Sequence, residues 1–211
     1  MALHDFQSAL TAMTLDAGLA NEVHARGADA LAGYRLTPRE ARRLLAVVRQ
    51  PGMALNCTLA RANRFGAIHD AFPMTCRLLG PDLRGVLDAL WSGRSPDNYQ
   101  LSGEELPFAR AVEARLAAGA CANPYLAEVL AYERACLELT LLARHAASSP
   151  AQPPAIRWID FSHDPRELLG ALGQSRVPPP DLPLEAYRVR VSLDGEELET
   201  TTFRVVSGDA G

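Results

Sequence analysis

Lysine is absent from this 211-residue chain, and all 21 basic residues are arginine. Against 25 acidic residues they leave a formal net charge of -4. That balance disfavours non-specific nucleic-acid binding by the whole chain, yet each positive charge is a planar fork suited to carboxylates, carbonyls and phosphates. Cysteine is scarce. Cys57, Cys76, Cys121 and Cys136 are scattered, with no Cys-x-x-Cys spacing and each in an apolar helical context, which predicts buried reduced thiols over a metal site or a disulfide framework. No apolar run reaches membrane-spanning length, and the first six residues lack a basic start followed by an apolar stretch. A cytoplasmic protein with no membrane partner is the expectation.

Reactive constellations are missing too. His4, His24, His69, His145 and His163 show no metal-ligand spacing. Ser162-His163-Asp164 are sequence neighbours and cannot form a triad, so they read as a helix cap. Gly103 and Gly208 stand alone, outside any phosphate-cradling loop. Glu104 and Glu105 near a helix start suit the helix dipole. The chain is therefore expected to hold no catalytic group, metal or cofactor, and not to be an enzyme by itself.

What is present is helix. Residues 3–33 carry Leu3, Phe6, Leu10, Met13, Leu15, Leu19, Val23 and Leu31 among many alanines, which predicts two helices with a break near Gly18. Thr37-Pro38-Arg39-Glu40 carries the marks of a capping box with proline at the first helical position. The helix it starts has Leu44, Leu45, Val47 and Val48 inside and Arg39, Arg42, Arg43 and Arg49 outside. In the next helix, which carries Leu55 and Leu59, Phe65, Ile68 and Phe72 fall at helical spacing. Pro73 then breaks the helix, and Met74, Leu78 and Leu79 begin a second short apolar face that Gly80 ends. A helix from Pro81, a polar connection over 92–102, a helix over 104–118 and a long, nearly all-apolar helix after Asn123-Pro124 complete a bundle.

After Ala147 the character changes. Residues 148–154 are a linker by composition. Ile156–Phe161 alternates as a strand, a short helix follows over 165–172, and Tyr187–Leu193 and 198–206 read as a hairpin turned at Asp194-Gly195. With that turn Val191 faces Leu198, Arg190 faces Glu199, and Phe203 shares a face with Arg188 and Arg190; a bulge would change the pairing, so the register stays open. The fold class is α+β: a helical bundle over 1–147, then a small antiparallel sheet domain with one short helix over 155–211.

The order Asn63-Arg64, Phe72-Pro73, Leu78-Leu79-Gly80, polar connection, then Pro124-Tyr125-Leu126 and Glu133 on one helix resembles a bacterial helical family. That family was once labelled a putative DNA-binding domain, and its members are partner subunits of iron-dependent peptide-modifying oxidases. The match spans about residues 55–140, and the overall size is most similar to the methanobactin-biosynthesis type. Family members usually have a tyrosine shortly before the Asn-Arg pair, where this chain reads Leu-Asn56-Cys-Thr-Leu-Ala. The resemblance implies a non-catalytic subunit that binds an iron-dependent barrel-fold oxidase and the leader of a ribosomally made precursor peptide. The oxidase would convert peptide cysteines to oxazolone and thioamide groups, with the iron in the partner.

Two surfaces are candidates for those tasks. A small sheet has an open edge, and edges pair with extended peptides, so Arg188, Arg190, Phe203 and Arg204 are the expected peptide-binding residues. Arg61, Arg64 and His69 are the expected partner-docking residues. The alternative that uses the same tail differently packs Trp158, Tyr187 and Phe203 on the bundle and leaves the arginines solvated. A DNA-binding or regulatory module using the Arg39 to Arg49 helix is the rival function, and the net charge, the absent lysine and the lack of a helix-turn-helix pattern weigh against it.

Overall fold

A computed structural model describes residues 2–92, 103–146, 155–194 and 197–205. The protein is α+β: helices dominate, and one three-stranded antiparallel sheet lies towards the C-terminus. The chain forms two compact units. One comprises residues 1–68 with 87–104, the other residues 69–86 with 105–211.

The first unit begins with helices α1 (Ala2–Leu15) and α2 (Ala17–Arg26). The expected break between them comes at Asp16, whose carboxylate accepts from the Gly18 and Leu19 amides and so caps α2. Helix α3 (Pro38–Val48) starts with the full capping box read from Thr37 and Glu40, and Pro38 sits at its first turn. Helix α4 (Pro51–Ala71) is 21 residues long. Met13, Val23 and Leu44 are fully buried at the centre of this unit, with Met53 and Cys57 of α4 against them.

The elbow forms as the sequence predicts. Phe72 leaves helical geometry with φ -132° and ψ 50°, Pro73 opens α5 (Pro73–Leu79), and Gly80 ends it at φ 50°. Glycine is needed there because a side chain is strained in that left-handed region. What holds the elbow comes from far along the chain. Glu133 of α8 (Leu126–Ala146) accepts from the Met74 and Thr75 amides at 2.7 and 2.8 Å, so one carboxylate satisfies two free N–H groups of α5. Helices α6 (Asp82–Trp91) and α7 (Glu105–Ala117) follow the elbow, and Phe108 of α7 packs on Phe72 with ring centroids 5.6 Å apart.

Strands β1 (Ile156–Phe161), β2 (Tyr187–Asp194) and β3 (Glu197–Arg204) form the sheet with β2 in the middle, and α9 (Pro165–Gly173) lies between β1 and β2 in sequence. The expected boundary at 148–154 lies outside the described residues, and the units divide elsewhere. The sheet shares one core with the bundle's last helix: Val129 and Leu139 of α8 pack with Ile159, Leu168, Val189 and Val191. Three short strands and one short helix are too small to bury a core alone, so the sheet borrows α8.

The hairpin register differs from the one derived for an Asp194-Gly195 turn. Asp194 belongs to β2 and pairs with Glu197, so Val191 lies opposite Thr200 and Arg190 opposite Thr201. Leu193 thereby meets Leu198, which pairs two apolar side chains. The shift is two residues, so the side-chain faces are unchanged.

Candidate peptide-binding groove

Strand β3 is the open edge of the sheet. Its ladder runs on one side to β2, and among the described residues no strand lies beyond it. The Val205 amide donates to the Ala186 carbonyl at 2.8 Å. Donors to the neighbouring strand recur at every second residue of an antiparallel ladder, so the Thr201 and Phe203 amides aim at β2. Those of Thr200, Thr202 and Arg204 aim away from it. The edge carries no proline or lysine among Glu197 to Arg204, the devices by which proteins usually blunt such an edge.

A groove of about 460 Å³ runs along this edge, lined by Thr200, Thr201 and Thr202 on one side and by Pro165, Arg166, Leu169 and Gly170 of α9 on the other. Tyr132 of α8 closes it, its hydroxyl 3.2 Å from the Thr200 hydroxyl. Burial pushes the Tyr132 phenol up, opposed by its hydrogen bond to Thr200, so it stays neutral and can donate or accept. Nothing lies within 4 Å of where a Cβ on Gly170 would stand, so the missing side chain leaves room in the groove. Asp164 caps α9 through the Arg166 amide, and Pro165 fixes its first turn. Local capping thus fixes where the wall facing β3 begins.

The expected peptide-binding residues fall into two classes. Arg188 donates to Asp160 across the β1–β2 pair at 2.8 Å, and Arg204 donates to Glu185 at 2.6 Å. Both guanidinium groups are already matched by a carboxylate. Arg190 reaches only the Ser192 hydroxyl, at 3.4 Å, and its Nε is buried without a hydrogen-bond partner among the described residues. Phe203 lies opposite Arg188 on the sheet's outer face, where its ring meets Trp158 of β1 at 5.7 Å. Both aromatic side chains are about half exposed, so the reading in which Trp158 and Phe203 pack on the bundle is corrected. The inner face belongs to Ile159, Phe161, Val189 and Val191.

The expected docking residues also differ among themselves. Arg64 is 2% exposed and ion-paired with Glu104 at 2.7 Å, its guanidinium 4.8 Å from the centre of the Trp91 ring. It supports the interior and is not a surface residue, because it falls on the buried stripe of α4 with Met53, Cys57 and Ile68. Arg61 is half-buried, paired with Asp88 and also over Trp91. His69 is exposed near the end of α4.

Cys57 and Cys76 are buried free thiols, and Cys121 and Cys136 are half-buried ones. Burial and the neighbouring Glu133 push the Cys76 thiol up to about 12, which keeps it protonated and unreactive. Among the described residues no group of three or more His, Cys, Asp or Glu could hold a metal ion, and no helix is long and apolar enough to cross a membrane.

Sequence reasoning missed Tyr132, Arg166, Leu169 and Gly170. The Thr200-Thr201-Thr202 run was a usable signal, since three β-branched polar residues suit a half-wet edge strand. The α9 wall had none, because its placement beside β3 depends on the register and on α8. No family model matches the chain, and neither a curated protein nor a solved structure does.

Proposed function

We propose that this chain is a non-catalytic partner subunit of an iron-dependent peptide-modifying oxidase. Its β3 edge takes the leader of a ribosomally made precursor peptide as a fourth strand, and the oxidase converts cysteines of that peptide to oxazolone and thioamide groups, as in methanobactin-type copper-chelator biosynthesis. The iron belongs to the oxidase. The observation that carries the peptide-binding half is the groove between α9 and an edge strand whose Thr200, Thr202 and Arg204 amides aim outward. The oxidase half is supported by the sequence resemblance, whose Phe72-Pro73, Gly80 and Glu133 together form one device, the capped elbow.

The test uses the full chain and a fluorescein-labelled precursor leader from the same gene neighbourhood. Thr202→Pro removes one outward N–H and no ladder bond to β2, and proline is tolerated at an edge. Saturable binding by the parent chain is expected, with at least a tenfold loss in Thr202→Pro at unchanged circular dichroism. Equal affinity of the two proteins excludes strand addition at β3.

A further inference from the structure

The groove between β3 and α9 constrains which side chains an added strand can carry. Thr200 and Thr202 stand opposite Val191 and Val189. Paired residues share a face, so both threonine side chains lie on the sheet's inner face. Their amides are also the ones that aim away from β2. A strand bonded to those amides turns the residues opposite Thr200 and Thr202 to the same inner face, into the groove. The two groove-facing residues are i and i+2 of the peptide, about 7 Å apart.

The two ends of the groove differ in chemistry. Helix α9 starts at Pro165, just after the Phe161 end of β1, and Phe161, Tyr187 and Arg204 stand in one row of the sheet. Arg166 therefore lies towards the Arg204 end of β3, beside Thr202. Leu169 and Gly170 follow one helical turn later, about 5 Å along the axis, close to the step between the two peptide side chains. Tyr132, bonded to Thr200, stands at that second end. Among the described residues no aspartate or glutamate lines the groove, and the exposed Arg166 guanidinium has no carboxylate partner. The Leu169 end is apolar: its one polar side chain, the Tyr132 phenol, is already matched by the Thr200 hydroxyl, and Gly170 leaves a gap.

We propose that the groove selects a leader with an aliphatic residue and, two positions away, an aspartate or glutamate. The aliphatic side chain, opposite Thr200, fills the gap over Gly170 between Leu169 and the Tyr132 ring. The carboxylate, opposite Thr202, pairs with Arg166. This inference rests on the strand-addition reading and adds the side-chain code that backbone pairing alone lacks. A lysine or arginine in place of the acid would meet Arg166 as a like charge, and a polar residue over Gly170 would leave water without a partner there.

The experiment uses the full chain and the fluorescein-labelled leader, with each leader residue replaced in turn by lysine, read by anisotropy. Arg166 is exposed and the Cβ site of Gly170 is open, so Arg166→Glu and Gly170→Leu should keep the parent's circular dichroism. One acidic leader position is expected to cost about tenfold when changed to lysine, and Arg166→Glu should restore that lysine peptide to within about threefold of the parent pair. Gly170→Leu should weaken the unchanged leader about tenfold and recover when the aliphatic residue two positions from the acid is cut to alanine. A purely structural role for either residue would not produce these matched rescues. If Thr202→Pro weakens the leader but neither rescue occurs, or the leader has no acidic residue at that spacing, the side-chain code fails and strand addition stands. If Thr202→Pro binds the leader as tightly as the parent, both fail.

Discussion

Arg64 and Glu104, 40 residues apart, form an ion pair at 2.7 Å in which neither side chain is more than a tenth exposed. Removing one partner strands the other charge in the interior. Arg64→Ala or Glu104→Ala should therefore each cost about 3–5 kcal/mol of unfolding free energy. Replacing both together, as Arg64→Met with Glu104→Leu, restores an apolar filling of similar volume and should lie close to the parent. Urea unfolding of the three variants checks this. A double variant as unstable as the singles would show that the pair, and not the stranded charge, carries the stability.

The carboxylate of Glu133 does the corresponding work at the elbow, and its loss has a pH signature. Glutamine can accept only one of the Met74 and Thr75 amides and turns an NH2 group towards the other, so Glu133→Gln should cost about 1–3 kcal/mol. Burial raises the Glu133 pKa above its ordinary 4.5, with the hydrogen bonds it accepts opposing the shift. A raised folded-state value means that its contribution is fully present below 4.5 and is lost as pH rises through the folded-state value. The stability gap between the parent and Glu133→Gln should narrow as pH rises from about 4.5. A gap that widens over that range would contradict the dominance of burial.

How much of this was legible in the sequence depends on the range of the interaction. The Thr37–Glu40 capping box, the Pro73 break and the Gly80 stop act within four residues, and each forms where the residues predicted it. Strand Ile156–Phe161 matched for the same reason. Arg64 misled because charge argues for a surface place, although its spacing from Met53, Cys57 and Ile68 already put it on the inward stripe. The Glu133 cap, the Leu193–Leu198 pairing and the α9 wall of the groove join residues far apart in sequence. No local pattern announces them. The sheet's sharing of a core with α8 is likewise silent in the sequence, since its demand for that helix emerges only when buried area is counted.

The three hairpin arginines should not contribute equally to peptide binding. Arg188 and Arg204 are neutralised by Asp160 and Glu185, so an incoming carboxylate gains little from them. Arg190 has no carboxylate among the described residues and sits in the row of Trp158 and Thr201. Arg190→Glu should weaken an acidic leader about fivefold to tenfold and reduce the salt dependence, whereas Arg188→Glu and Arg204→Glu should each cost about twofold. Fluorescence anisotropy at two salt concentrations separates these outcomes. Equal losses at all three positions would mean that the field of the whole sheet, and not a free guanidinium, attracts the peptide.

Trp158 offers a direct report on where the peptide lies. It is 54% exposed on β1, while its ring meets Phe203 of the edge strand across β2, and Trp91, the second tryptophan, is buried. A strand added beside β3 places alternate side chains next to Phe203 and so dries the aromatic pair from one side. Leader titration should shift Trp158 emission to shorter wavelength, with a midpoint equal to that of the anisotropy curve. Phe203→Ala should remove most of the shift while lowering affinity only a few-fold, because backbone pairing at Thr200 and Thr202 persists. Saturable binding with no change in Trp158 emission would put the peptide elsewhere, since a fourth strand at this edge cannot leave the Phe203 ring in its present surroundings.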